Sequence, residues 1–384
     1  VRIFAIRWLT NCIMFTLSLR NPKVEKRLVL FGAMQGRLYG DNAKHLFEYI
    51  LESNSDLKVY WVTRNYKLFR ELKAKCKPVL YIYSLKYLKI FLRADKGVYT
   101  DGFRDLFLGP FMVHSKFKMV NLRHGRSVKR VRFARLGHKI SSKENMEREF
   151  ETLKTRFAIS TSPFISELQE ECLRIGKSKH VVTGYPRNDH LINQSTQYSE
   201  LKFAKEGVID VLYAPSWRHG RKGTVFFPFL NFELHDFDKF LEDMNIRIWI
   251  RPHLGELYLP EMKDFLAKID KCRCLSAISH IECPDINSSL HEFDAMISDY
   301  SAIYHDFLLL DRPILFIPYD FEDFHNKNGF LYDYFHYLPG PNIQNHSVFR
   351  EEYSKLSKNI DLYKSKRHIL RNKIHSYQDA NSCQ

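Results

Sequence analysis

From Arg27 onward the chain alternates short apolar runs with amphipathic stretches, and this rhythm constrains the fold more than any other feature. "RLVLFGA", "LKVYWVT" and "KPVLYIY" read as strands, with "AKHLFEYILES", "YKLFRELKAK" and "SLKYLKIFLRA" as the helices that follow them. "KGVYTDG", "KMVNLRHG", "RFAIST" and "HVVTGYP" extend the series. Strand, helix, strand in this order means a parallel sheet covered by helices on both faces. "NQSTQYSE" (193–200) has the composition of a linker, and a second series follows it: "VIDVLYAPSW", "IRIWIRPH", "LPEMKDFLAKI", "INSSLHEF", "AMISD" and "PILFIPY". "FREEYSKLSKNIDLYKSKRHILRNKIHSY" reads as one or two C-terminal helices. A chain of 384 residues holds two domains by default, at ~100–200 residues each. The expectation is an α/β protein of two doubly wound domains facing across a cleft: 25–195 and 200–350, with an amphipathic segment 1–24 before them and helices and a tail, 351–384, after. There is no internal repeat and no low-complexity tract.

Composition narrows the function class. Hydrophobic residues at 45% and aromatics at 14% belong to a globular rather than a disordered chain. Lys and Arg number 59 against 44 Asp and Glu, a net charge of +15. Such an excess favours polyanions: nucleic acid, anionic lipid or a phosphate-rich substrate. A merely soluble basic surface is the alternative. The seven cysteines (12, 76, 172, 272, 274, 283 and 383) are scattered and odd in number, which argues for buried thiols in a reducing compartment rather than a disulfide framework. Cys272, Cys274 and Cys283 lack the fourth ligand that a zinc site requires.

The opening "VRIFAIRWLTNCIMFTLSLR" carries Arg2, Arg7 and Arg20 around an uncharged run of 12 residues, Trp8 to Leu19. A membrane span needs ~20 largely apolar residues, so this segment is too short to cross. Ile3, Ile6, Leu9, Ile13 and Leu17 share a helical face, suited to a membrane interface or to packing on the protein. The chain begins at Val1 rather than Met, so whether it opens at the native N-terminus stays open.

The polar clusters fall at strand ends, where open parallel sheets bind ligands. "AMIS" ends at Asp299, and "SAIYHDFLLL" begins a helix with Ser298 and Ser301 near its start. Free N–H groups and the positive dipole end there make an anion site, fit for a diphosphate; ordinary capping by serine is the alternative. "LRHGRSVKR" sets His124, Gly125 and Lys129 after an apolar run. Gly125 permits a tight turn or close approach, and an imidazole there suits general-base work; a structural histidine is the alternative. "IRPH" puts Arg251 and His253 at another strand end, "YAPSWR" ends in Arg218 after Ser216, and "GYPRND" presents Arg187, Asn188 and Asp189. Arginine's planar fork matches phosphate oxygens.

These stretches, with "YGDN" (Tyr39–Asn42) and "LPGP", carry a resemblance in order and rough spacing. From about Gly36 to Pro341 the chain resembles the CDP-glycerol glycerophosphotransferase family, which includes teichoic-acid primases and polymerases and capsule-synthesis relatives. The resemblance implies a GT-B-like architecture of two Rossmann-like domains, nucleotide on the second and acceptor on the first. It implies His124 as the catalytic base and His253 as a second essential histidine near the diphosphate. The donor phosphate and nucleotide set expected is Arg218, Arg251, Ser298, Asp299, Tyr300, Ser301 and Asp306. The acceptor or second-tier set is Gly125, Lys129, Asn188, Asp189, Asp41 and Asn42. Two positions depart from the family pattern: Arg123 stands where an aromatic usually precedes "HG", and Ala302 replaces a serine.

The expected reaction moves a polyol phosphate, glycerol phosphate foremost, from CDP-glycerol or CDP-ribitol to a hydroxyl of a lipid-linked or polymeric anionic acceptor, releasing CMP. No metal cofactor is expected, since no carboxylate pair stands at a strand end; Asp236-Phe-Asp238 lies in a helix-like stretch and reads as a solvated face. The expected setting is the bacterial cytoplasm, peripheral on the inner membrane face, where each nearby Lys or Arg adds ~1 kcal/mol; a homo-oligomer stays open. Three rivals stand beside this reading, among them a non-catalytic scaffold that retains the fold, against which the presence of both His124 and His253 weighs. Another is a GT-B glycosyltransferase using a sugar nucleotide. The third is a basic nucleic-acid-binding protein, disfavoured because the basic residues are spread along the chain rather than clustered.

Overall fold

The computed structural model describes residues 23–53, 55–109, 113–125, 128–135, 140–193, 201, 207–218 and 223–384. The amphipathic segment expected at the N-terminus lies outside these residues up to position 22, as does the linker beyond Asn193. Among the described residues, no helix is long and apolar enough to cross a membrane, and the six cysteines are free thiols.

The first sheet holds β1 (Glu25–Phe31), β2 (Lys58–Thr63), β3 (Val79–Tyr81), β4 (Ala94–Tyr99), β5 (Lys118–Asn121), β6 (Thr155–Ser160) and β7 (His180–Val182). They are ordered β3-β2-β1-β4-β5-β6-β7, and each neighbouring pair is parallel. Alternation along the strands divides two cores. Leu28, Leu30, Tyr99 and Met119 face one side; Val29, Phe31, Val98 and Leu122 face the other. Helix α1 (Asp41–Glu52) covers the second side with Ala43 and Phe47, and α3 (Leu85–Phe91) covers the first with Tyr87 and Phe91. Full burial of such a side chain contributes about 1.5–3 kcal/mol.

Local signals start these helices. Asn65 accepts from the N–H groups of Lys67 and Leu68 at the head of α2 (Tyr66–Ala74), and Ser84 caps α3 through Tyr87. Ser141 caps α4 (Ser142–Lys154), and Ser162 caps α5 (Pro163–Leu173), whose Pro163 occupies the first helical turn. Proline is preorganised for that position and gives up no needed donor. A short α6 (Asp189–Ile192) follows β7.

The second sheet holds β8 (Ile209–Tyr213), β9 (Ile246–Ile250), β10 (Leu275–Ala277), β11 (Ala295–Ser298) and β12 (Ile314–Phe316), ordered β10-β9-β8-β11-β12 and again all parallel. Its helices are α7 (Leu234–Asp243), α8 (Pro260–Ile269), α9 (Ile303–Phe307), α10 (Phe321–Asn328), α11 (His346–Ser357) and α12 (Lys364–Ile374). β10, α4, α5, α6 and α10 are additions to the elements expected from the sequence. β10 is only three residues long, too short for its alternation to show.

The described residues fall into two units, one around each sheet. The first takes those up to 124, from 140 to 189 and from 379 to 384; the second takes 125–135 and those from 190 to 378. The chain therefore leaves the first unit directly after His124. It enters the second through an antiparallel bridge of Lys129 with Phe330, flanked by Arg130 N–H to Gly329 O and Leu331 N–H to Val128 O. The strand order reverses between β1 and β4 in one sheet and between β8 and β11 in the other. These switch points are where doubly wound sheets bind ligands, and both polar clusters lie beside them.

Candidate active site

In the first unit, β5 ends at Asn121 and the chain turns sharply. Asn121 Oδ1 accepts from Arg123 N–H at 2.8 Å. Arg123 sits at φ +56 and Gly125 at φ +145, the second a conformation that glycine tolerates best. Asn42 clamps the turn: its Nδ2 donates to Leu122 O at 2.9 Å and Arg123 O at 2.7 Å, while its Oδ1 accepts from Arg187 N–H at 3.1 Å. Arg187 Nη1 then donates to Asp41 Oδ1 at 2.7 Å and to His124 O at 2.9 Å. The "YGDN", "GYPRND" and "RHG" stretches thus meet around one backbone turn. Asp41 and Asn42 are buried behind His124. Both are bonded into the turn that carries the histidine, and Arg187 joins them as a residue that the sequence reading named but did not place in the site. Asn188 is buried as well. Asp189 accepts from the N–H groups of Ser382 and Cys383 at 3.1 Å each, so it anchors the C-terminal tail; burial raises its pKa.

The His124 ring is half exposed, with Nδ1 3.3 Å from Thr100 O and 3.8 Å from Asp101 Oδ1. A carbonyl can only accept, so Nδ1 carries the proton and Nε2 presents its lone pair. Desolvation lowers the imidazole pKa, opposed by Asp101 and reinforced by Arg123. The ring is therefore neutral at pH 7, the state that a general base needs.

The loops leaving β1 and β4 complete this end of the sheet. Asp105, fully buried, accepts from Gln35 N–H at 2.5 Å and from Thr100 and Asp101 N–H at 2.9 Å each. Burial, then the Asp101 charge, pushes its pKa up to about 7 against these bonds. Gln35, at φ +57, reaches Asp101 Oδ2 through its own side chain at 3.3 Å. Gly32 makes this approach possible: a Cβ there would lie 2.3 Å from Asp105 O. Gln35, Asp101 and Asp105 were absent from the sequence expectation. "YTDG" carries an acid at a strand end, and that was the one available signal.

In the second unit the loops after β8 and β11 interlock at the switch point. Asp299 Oδ1 accepts from Ser216 N–H at 2.7 Å and Ser301 N–H at 3.1 Å, and Oδ2 pairs with Arg218. Arg218 also forks onto Asp320, Nε to Oδ2 at 2.9 Å and Nη2 to Oδ1 at 2.8 Å. Its guanidinium lies about 5 Å from the centroids of Tyr300, Tyr319 and Phe324, at 5.1, 5.2 and 5.2 Å. Arg218 and Asp299 therefore form a buried ionic joint. Tyr300 is 1% exposed, stacked on Phe324 at 4.2 Å with its hydroxyl donating to Asp320. Ser298 is fully buried and donates to Ala214 O at 3.1 Å. Asp306 is fully buried on α9. Arg251 spends its fork on two carbonyls, Ile278 O at 3.2 Å and Cys283 O at 2.6 Å.

These placements divide the expected donor set. Arg218, Arg251, Ser298, Asp299, Tyr300 and Asp306 are spent inside the fold, because the loop after β11 turns inward onto the aromatic layer of α10 (Phe324) and the following turn (Phe330, Tyr334). Ser301 stays half-buried at the surface, and no side chain caps the first turn of α9. His253 is exposed, stacked on Trp217 at 5.0 Å and 9°, and its Nδ1 accepts from Gly255 N–H at 3.1 Å. Its neutral ring thus carries its proton on Nε2, as a donor. Lys129 belongs to this unit, with its Nζ 5.6 Å from the centroid of the Phe324 ring. Burial lowers its pKa, against Asp299 and with Arg218.

Among the described residues, no three His, Cys, Asp or Glu side chains group as metal ligands. Asp236 is exposed on α7, and Asp238 accepts from the N–H groups of Arg273 and Cys274.

Residues 13–384 match the model of the CDP-glycerol:poly(glycerophosphate) glycerophosphotransferase family. The chain belongs to this family. It is 25% identical to the teichoic acid glycerol-phosphate transferase of Staphylococcus aureus, over 96% of this chain and 94% of that one. It is 27% identical to the teichoic acid poly(glycerol phosphate) polymerase of Bacillus subtilis, over 86% of this chain and 44% of that one. The fold is that of the wall teichoic acid polymerase TagF, with a TM-score of 0.77 at 20% identity over 98% of this chain and 91% of that one. This is the GT-B-like arrangement of two parallel α/β units. A UDP-N-acetylglucosamine 2-epimerase from Listeria monocytogenes shares it more loosely, with a TM-score of 0.55 at 12% identity over 94% of each chain.

Proposed function

We propose that this protein transfers glycerol phosphate from CDP-glycerol to a hydroxyl of a teichoic-acid acceptor and releases CMP. The observation that carries the reading is His124: a neutral imidazole with an available Nε2, at a strand end whose backbone is locked by Asn42 and the Arg187–Asp41 pair, in a chain of the CDP-glycerol transferase family.

The acceptor hydroxyl attacks the phosphorus that bears glycerol. One P–O bond forms to the acceptor and the P–O bond to CMP breaks, its electron pair leaving on the CMP oxygen. The hydroxyl proton passes to His124 Nε2. General-base help of this kind contributes about 10²–10⁴-fold. The first unit takes the acceptor. The second takes the donor, with the Nε2–H of His253, the Ser301 hydroxyl and the uncapped start of α9 directed to phosphate oxygens. Preorganised donors there stabilise charge on the phosphoryl group and on departing CMP.

Transfer proceeds without a metal cofactor in this reading, and the basic surplus favours an anionic acceptor presented at a membrane surface. Family membership favours this reaction over a sugar-nucleotide glycosyltransferase. Purified protein offered CDP-glycerol, CDP-ribitol and UDP-sugars, with and without EDTA, tests it through CMP or UMP/UDP release. The expected result is CMP from CDP-glycerol, unchanged by EDTA. Release only from a UDP-sugar overturns the reading.

A further inference from the structure

Five arginines are buried among the described residues: Arg123, Arg187, Arg218, Arg251 and Arg367. Four of them hydrogen-bond carboxylates or carbonyls. Arg187 holds Asp41, Arg218 holds Asp299 and Asp320, Arg251 holds two loop carbonyls and Arg367 holds Asp361. Arg123 differs. It is 4% exposed, and its Nε and Nη1 have no hydrogen-bond partner; no ion pair forms to it among the described residues. Taking a charge from water without a partner is unfavourable, and no hydrogen bond to Nε or Nη1 offsets that cost among the described residues.

The surroundings are short of acceptors as well. Asn121, whose Oδ1 holds the Arg123 N–H, keeps a buried Nδ2 with no partner. Thr100, which follows the β4 residue paired with Asn121, keeps a buried hydroxyl with no partner. The Arg123 charge acts on two imidazoles, lowering His124 and His180 alike. The backbone of Arg123 is fixed on both sides, its N–H by Asn121 and its carbonyl by Asn42, so the position is built and not accidental. A turn with several unsatisfied N–H and O–H donors, one of them a full positive charge, is complementary to an oxyanion.

We propose that Arg123, with Asn121, binds a phosphate group of the acceptor, so that this transferase selects acceptors ending in a polyol phosphate over neutral ones. The assignment to the acceptor rests on the reading of the reaction above, because Arg123 adjoins the base that takes the acceptor's proton. The chemistry alone, a phosphate oxyanion on a guanidinium, would equally suit the donor, and the experiment separates the two.

Calorimetric titration of the full chain with glycerol 3-phosphate, and separately with CDP-glycerol, reads binding without turnover. Wild type should bind glycerol 3-phosphate saturably. Arg123→Met should bind it roughly tenfold to a hundredfold more weakly, the factor for one charge-assisted contact, and Arg123→Lys should recover part of the loss. CDP-glycerol affinity should stay within about twofold of wild type in both variants. Ligand-free Arg123→Met should melt at or above the wild-type temperature, since a lone buried charge has been removed. In turnover, the preference for a phosphate-terminated acceptor over its dephosphorylated analogue, as a ratio of kcat/KM, should fall by the same factor. Equal glycerol 3-phosphate affinity in all three proteins overturns the proposal. So does a loss confined to CDP-glycerol, which moves Arg123 to the donor, and so does a lower melting temperature of Arg123→Met, which makes the arginine structural. If wild type released no CMP from CDP-glycerol, the transferase reading would fail, while the glycerol 3-phosphate titration would still decide the anion site.

Discussion

The guanidinium of Arg187 donates to the main-chain carbonyl of His124 at 2.9 Å while the same nitrogen holds Asp41 at 2.7 Å. Two residues 63 positions apart are thereby fixed to each other, and the histidine proposed as the base is held through its backbone, with its ring left half exposed. The pair is buried, so its geometry is well defined, but removing one member leaves the other charge uncompensated.

Arg187→Met should therefore destabilise the protein by about 3–5 kcal/mol and reduce transfer together with stability. The double variant Asp41→Asn/Arg187→Met should recover much of the stability and little of the activity, because the carbonyl of His124 is still released. Denaturant melts and CMP-release rates on the two variants check both halves. Full activity in the double variant would detach the pair from catalysis.

His124→Ala should leave CDP-glycerol affinity near wild type and lower kcat about 10²–10⁴-fold. Calorimetry for binding and CMP release for turnover separate the two effects; wild-type turnover would exclude the base role.

The acid limb of kcat/KM should lie below pH 6.5, the ordinary value from which desolvation lowers His124. A base works when unprotonated, so the rate holds above that pKa and falls as pH drops through it. Asp101 opposes the lowering, so Asp101→Asn should move the limb to still lower pH. A shift toward neutral pH would contradict the proximity of the two groups.

Asp105 contributes to stability with the opposite sense from a salt-bridged acid. Its folded pKa, about 7, exceeds the ordinary 3.8, so between these values the folded chain binds more protons than the unfolded one. Its contribution is greatest below about pH 4 and is lost as pH rises through 7. Asp105→Asn should flatten the fall in stability across that window, read as melting temperature against pH. Because the amide oxygen cannot serve all three N–H groups as well, the loops at Gln35 and Asp101 should loosen.

Ser301→Ala should weaken CDP-glycerol binding roughly three- to tenfold, the value of one hydrogen bond of about 1 kcal/mol. Unchanged affinity would remove the start of α9 from the donor site.

Apolar alternation was enough to read the main strands of both parallel sheets and most helices, because a strand buried on both faces must be a short apolar run, whatever lies far from it in sequence. The strand-end rule also picked out His124, His253 and Ser301, which stay at least partly exposed. It could not distinguish them from Ser298, Tyr300 and Arg218, which occupy similar local sequence. Those three are turned inward by Phe324, Asp320 and Ala214, each supplied by another segment. The detour of residues 125–135 into the second unit was equally invisible, since it depends on pairing with Phe330, 200 positions from Arg130.

The sequence by itself determined the α/β class, the two-sheet organisation, the family and the polar turns at the strand ends, because hydrophobic period and turn residues are local properties. Only the tertiary structure decided which polar side chains are consumed as joints, which reach solvent, and which, like Arg123, keep buried donors unpartnered among the described residues. Those outcomes depend on hydrogen-bond partners brought together from distant segments, and no local pattern encodes a partner.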